Sequence, residues 1–182
     1  MPHTTTRELT YVALFAALIA VGAFVSVPVG AVPFTLQVLF VLLASMMLGP
    51  RLGAVSVAAY LVLGLIAPVY AGGSSGIGVL FGPTGGFLWG FVLAAVLTGA
   101  IASLRPRTLW AVMVAGLAGI TPIYALGAVW LALQAHITLG AALAVGVVPF
   151  VWTDALKAIG AGLIARSLVS LPLGLPWPQR GR

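Results

Sequence analysis

The chain has no cysteine, so it can hold no disulfide framework, no thiolate metal site and no cysteine nucleophile. It has little charge either, with 5% of residues charged against roughly 25% in an ordinary soluble domain. Glu8 and Asp154 are its two acidic residues and Lys157 is its single lysine. That lysine follows Asp154-Ala155-Leu156 and not a glycine-rich turn, so there is no phosphate-binding loop and no ATP hydrolysis is expected of this chain. No internal repeat is evident, which gives no support to a transporter built from two inverted halves. No residue is assigned a catalytic or metal-binding role, no cofactor is expected, and the chain is not read as an enzyme.

What remains is apolar: 62% of the 182 residues are hydrophobic and the mean hydropathy is +1.23. A spanning helix takes about 20 such residues, so the length accommodates roughly six spans and no second, soluble domain. Apolar runs lie near residues 9–29, 34–49, 52–68, 86–104, 108–133 and 145–170, which predicts an all-α, polytopic membrane bundle of six transmembrane helices in one integral membrane domain, 1–182. The second and third runs are short and flank Gly49-Pro50-Arg51. They are read as a tight helical hairpin whose outer ends extend beyond the apolar runs. Val21-Gly22-Ala23 resembles a signal-peptide cleavage site, but the run containing it is long enough to span and further spans follow, so the first helix is expected to stay uncleaved.

The net charge of +6 comes from basic residues that form no cluster, which argues against a nucleic-acid partner. Arg7 precedes span one, Arg51 separates two and three, Arg105 and Arg107 separate four and five, and Arg180 and Arg182 follow six. The other three connections lack lysine and arginine. By the positive-inside rule this places a multi-pass chain in the cell membrane with both termini cytoplasmic, its arginines near anionic lipid of the bilayer. Trp89, Trp110 and Trp130 are read as interfacial anchors.

Three features stand out against this background. Asp154 and Lys157 share one face of the last span, where each costs about 2.5 to 3.5 kcal/mol at a helix centre unless it faces the interior, pairs and borders a polar cavity. With Pro149 in the first turn of that helix, the pair lies roughly 8 to 12 Å below its outer end. An acceptor and a donor so placed suit a small polar head group, although a purely architectural ion pair has the same signature. The outer connections form the second feature. Thr35 and Gln37 lie in the first, and the second carries the glycine-rich stretch 72–86, where Gly73, Gly76 and Gly85 let a backbone close on a ligand or simply make a flexible link. The third is small residues at four-residue spacing on span one, Ala13, Ala16, Ala17 and Ala20, which suit either internal packing or docking of another membrane subunit. Gly73-Ser74-Ser75-Gly76 matches the motif of intramembrane serine proteases, but the serine sits in a loop and His136 has no orienting group, so serine hydrolysis is a remote alternative. His3 and His136 are read as solvated or interfacial.

Four ordered motifs carry a resemblance: Val32-Pro33-Phe34-Thr35-Leu36-Gln37, Leu48-Gly49-Pro50-Arg51-Leu52-Gly53, the run from Gly78 to Gly86, and Asp154-Ala155-Leu156-Lys157. Together they resemble the BioY family, biotin-specific substrate-binding S components of energy-coupling-factor transporters, over residues 8 to 168. The resemblance implies the S-component fold and a biotin site near the outer face, occluded by the first and third loops. It also implies partners: a transmembrane coupling protein, met by the small-residue face of span one, and two cytoplasmic ATPases. It points to Asp154 and Lys157 for the ureido ring, whose two N–H donors and one C=O acceptor complement a carboxylate and an ammonium. Loop backbone N–H groups, Thr84 or Tyr70 are candidates for the valerate carboxylate, as is Lys157 in the reverse pose. An S component for another vitamin, or a stand-alone small-solute transporter, is the alternative.

Overall fold

A computed structural model gives the structure and describes residues 5–104 and 108–169. Arg105, Arg107, Arg180, Arg182, His3 and the end of the sixth predicted span lie outside the described residues. Helix α1 (Thr6–Phe24) opens on a capping box: the Thr5 hydroxyl accepts from the Glu8 N–H at 3.3 Å while the Glu8 carboxylate accepts from the Thr5 N–H at 2.8 Å. One of the two acidic residues of the chain is thereby a helix cap.

An antiparallel ribbon follows, β1 (Ser26–Val29) paired with β2 (Val32–Thr35) around a two-residue turn. The sequence reading contains no strand here. Pro28 and Pro33 face each other in its register, a place proline tolerates because the ribbon has open edges that need no donor.

Helix α2 (Gln37–Ile66) is one helical run in name only. Gly49 holds φ 79° and ψ −179°, a region closed to residues with a Cβ, and Pro50 restarts a helix in the position where its missing N–H costs nothing. The chain reverses there. A Cβ on Gly53 would lie 2.8 Å from the Cα of Ser45, and Gln37 hydrogen-bonds Tyr60 at 2.6 Å across 23 residues, a separation of about 34 Å in a straight helix. The predicted hairpin is therefore present, with arms 37–48 and 50–66. Its first arm does not extend outward as expected: at about 18 Å it is shorter than the roughly 30 Å hydrocarbon layer, because the β-ribbon takes the residues before it.

The segment after α2 is structured as well. A single 3-10 turn (Ala71–Gly73) and a short helix α3 (Ile77–Phe81) occupy it. The last carbonyls of that helix and the turn beyond it are satisfied from neighbouring spans: Trp89 Nε1 donates to Leu80, Gln134 Nε2 to Phe81 and Trp130 Nε1 to Gly82, at 3.2, 3.0 and 2.9 Å. Trp89 and Trp130 thus brace the loop besides bordering the surface, whereas Trp110 is 76% exposed.

Helices α4 (Gly85–Leu104) and α5 (Leu109–Ala135) make the most extensive helix contact. Gly86, Gly90, Ala94 and Thr98 repeat every four residues on α4, and a Cβ on Gly90 would sit 2.7 Å from the Cα of Ile123. Without a hydrophobic drive between helices in lipid, such close backbone approach supplies the association by dispersion. The last span is broken: α6 (Leu139–Gly146) and α7 (Val151–Val169) meet at 55°, around Pro149. Among the described residues, α1, the two arms of α2, α4, α5 and this bent pair make six helical segments of the bundle. Their outward faces carry Val62, Leu133 and Leu156, side chains for which lipid and not water is the natural surrounding. The β-ribbon, the α3 segment and the α6–α7 bend gather at one end of the bundle, and Arg7, Arg51 and Arg166 lie toward the other.

Candidate functional site

At the loop-bearing end a cavity of about 140 Å³ is lined by the β-ribbon, the α3 segment and helices α2, α4, α5 and α7. Its walls are mainly apolar, with Val79, Phe87, Leu88, Phe91, Ile123 and Phe150 among them, and apart from Tyr70, Ser74 and Thr84 of the loop segment polar groups enter at two places.

The first is the lone ion pair. Asp154 falls in the first turn of α7, closer to the helix start than the sequence reading placed it, since the bend after α6 consumes the residues expected to begin the span. Both side chains are nonetheless buried, Asp154 at 4% and Lys157 at 6% exposure. Lys157 Nζ donates to Asp154 Oδ1 at 2.6 Å, and Tyr124 of α5 donates its hydroxyl to Asp154 Oδ2 at 2.8 Å. The ammonium also lies 4.0 Å from the centroid of the Phe34 ring on β2, a cation–π contact that desolvation strengthens. The carboxylate is therefore held at both oxygens and the ammonium on two sides, yet Asp154, Lys157 and Tyr124 all line the cavity. Each carboxylate oxygen keeps a lone pair and the ammonium keeps N–H donors.

The second polar place is a relay at the start of α2. Thr35 Oγ1 donates to Gln37 Oε1 at 2.9 Å and Gln37 Nε2 donates to the Tyr60 hydroxyl at 2.6 Å. Thr35 and Gln37 line the cavity, while fully buried Tyr60 stands behind them and meets the Tyr70 ring edge-on at 5.6 Å.

The remaining sequence candidates divide. Tyr70 and Thr84 line the cavity, but the Tyr70 hydroxyl donates to the Leu61 carbonyl at 2.6 Å, so as a donor it is already committed. Burial raises its pKa and keeps it neutral. Gly73, Gly76 and Gly85 are outside the lining. Gly73 and Gly76 take left-handed φ of 75° and 93°, and Gly85 packs against the Leu80 carbonyl with no room for a Cβ, so all three shape the loop. Ser74 Oγ donates to the Ala71 carbonyl at 2.9 Å and His136 ends α5 in a left-handed conformation. On α1, Ala16 and Ala20 are buried at 6% each and Ala13 and Ala17 are exposed. The small-residue face is thus two faces: Ala16 and Ala20 pack inside the bundle, and Ala13 and Ala17 alone point outward.

Sequence reasoning missed Tyr124, Phe34 and Tyr60. Tyr124 carried one available signal, a hydroxyl in mid-span two residues after Pro122. The ring of Phe34 looked like ordinary packing, and nothing local marked Tyr60 as the partner of Gln37.

The model of the BioY family matches residues 1–172. Biotin transporter BioY of Thermotoga maritima is 45% identical over 166 residues, covering 91% of this chain and 97% of that protein. A probable biotin transporter BioY of Pyrococcus horikoshii is 42% identical over 163 residues, covering 89% and 96%. The crystal structure at 2.1 Å of the S-component for biotin from an ECF-type ABC transporter superposes with a TM-score of 0.83 at 32% identity, over 90% of this chain and 91% of that one.

Proposed function

Because this chain belongs to the BioY family, we propose that it captures biotin as the substrate-binding membrane subunit of an ECF-type importer. The observation that carries this reading is a largely apolar cavity with one acceptor–donor pair of no net charge, Asp154–Lys157, set in its wall. In a five-membered cyclic urea each N–H stands beside the C=O, so one edge of the ring offers a donor and an acceptor side by side. A carboxylate and an ammonium bonded to each other present the complementary edge. The pair has no net charge, which favours a neutral urea over an ionic group. The thioether ring and valerate chain meet the aromatic and aliphatic wall, and Thr84 with the loop backbone remains for the carboxylate.

The sequence carries no phosphate-binding loop, and in this reading the energy for uptake comes from partners. We place the coupling protein against the outward stripe of α1 that includes Ala13 and Ala17, with two ATPases beneath it, and both termini of this chain on their side of the membrane. Mass spectrometry of the small molecules that co-purify with the detergent-extracted protein tests the substrate. Biotin is expected at close to one per chain from cells given biotin, and a different vitamin at that stoichiometry would replace this reading with the sister specificity.

A further inference from the structure

Gln37 has hydrogen-bonding capacity that the fold leaves open. Its amide offers two N–H donors and an oxygen with two lone pairs, yet among the described residues the protein uses one N–H, toward Tyr60, and one lone pair, toward Thr35. Exchanging the amide oxygen and nitrogen changes which neighbour takes which atom but not the count: Thr35 and Tyr60 are both hydroxyls, able to donate or accept, and one N–H stays unused either way. The residue is 4% exposed and lines the cavity, so whatever fills the cavity meets that donor, and a ligand that displaces water there without accepting from it leaves a costly unmade hydrogen bond.

Position says what it meets. Phe34, which caps the Lys157 ammonium, directly precedes Thr35 on β2, and Thr35 holds Gln37. Thr35 and Gln37 line the same cavity as Asp154 and Lys157, and Tyr124 on α5 already serves the Asp154 carboxylate. We infer that the spare N–H of Gln37 donates to the ureido oxygen of the substrate, alongside Lys157, and that Tyr60, which does not reach the cavity, is the positioning residue that orients it. A urea oxygen has two lone pairs, so it accepts both donors. This assignment rests on the biotin reading above and adds to it a determinant of head-group selectivity supplied by α2 and not by α7.

The test compares Gln37→Met and Tyr60→Phe with the wild type in detergent, measuring affinity for biotin, for 2-iminobiotin and for biotin methyl ester. In 2-iminobiotin a guanidine replaces the urea, and near neutral pH it is protonated and bears only N–H donors at that position, so Gln37 has nothing to donate to. Gln37→Met is expected to weaken biotin about tenfold while changing 2-iminobiotin less than about twofold, the scale of one lost hydrogen bond. The ratio of biotin to its methyl ester should stay constant. Tyr60→Phe, which keeps the cavity lining intact, should lower the biotin to 2-iminobiotin ratio about threefold. Equal losses for biotin and 2-iminobiotin would mean a merely structural role and overturn the assignment. A change confined to the methyl ester ratio would move Gln37 to the valerate carboxylate and overturn it as well. An unchanged ratio in Tyr60→Phe would remove Tyr60 as its positioning residue. Absence of biotin binding by the wild type is a separate outcome that defeats the biotin reading itself.

Discussion

Replacing Lys157 with Met removes the ammonium while keeping a side chain of similar reach, and the structure fixes what that should cost. The ligand loses a charge-assisted hydrogen bond, about 1.5 to 3 kcal/mol, which is roughly ten- to more than hundredfold in affinity. The protein loses the 2.6 Å partner of Asp154 Oδ1 but keeps the Tyr124 hydroxyl on Oδ2. Breaking a buried pair typically costs about 3 to 5 kcal/mol, and with one strong donor remaining the loss of stability should fall toward the lower end. Affinity and stability therefore drop together in the single variant and do not by themselves separate a binding site from an architectural pair. The geometry supplies the decisive variant. Asp154→Leu with Lys157→Met alone would strand the Tyr124 hydroxyl, at about 1 to 3 kcal/mol, so the apolar replacement has to include Tyr124→Phe. Buried ion pairs replaced by apolar side chains of similar volume are often neutral or stabilising. The triple variant should accordingly melt near the wild type in detergent, yet bind biotin at least a hundredfold more weakly by calorimetric titration. A folded triple variant with wild-type affinity would refute the site.

Further outcomes follow from packing and topology. Gly90→Ala puts a methyl 2.7 Å from the Cα of Ile123 and 3.1 Å from the Pro122 carbonyl, backbone that cannot swing aside, so thermal unfolding should show a loss of about 1 to 3 kcal/mol, while an unchanged melting curve would contradict the α4–α5 contact. Ala17→Trp, on the outward face of α1, should leave biotin affinity intact and impair uptake by the assembled transporter, whereas Ala20→Trp, buried at 6% exposure, should destabilise the isolated subunit. The reverse pattern would show that the outward stripe is not the docking face. Single cysteines introduced at Ser75 and Arg51 should react with an impermeant thiol reagent from opposite faces of the membrane, and labelling of both from outside would break the six-pass topology.

How much of this was legible in the sequence depended on whether the physics is local or tertiary. The spans could be read because hydrocarbon tolerates few alternatives to a long apolar helix, and the reversal at Gly49-Pro50 because those two residues break a helix by covalent geometry alone. Asp154 and Lys157 stood out because charge within a span has to be accounted for. The β-ribbon was hidden, since Val32-Pro33-Phe34 reads equally as the start of a span. The break between α6 and α7 was hidden too, because Gly146 and Pro149 lie in a continuous apolar run whose bend is set by packing. The alanines of α1 show the limit of spacing arguments: four small residues were visible, but which two face inward depends on where α2 lies. Tyr124 and Tyr60 had to be seen, because each acts through a partner 30 or 23 positions away.

Calorimetric titration of the purified wild-type protein with biotin, and in parallel with other water-soluble vitamins, tests the central claim most directly. The cavity that holds the Asp154–Lys157 pair should give saturable binding of one biotin per chain, with no measurable heat from the other vitamins. A flat biotin titration from a folded sample, or saturation by another vitamin instead, would contradict it.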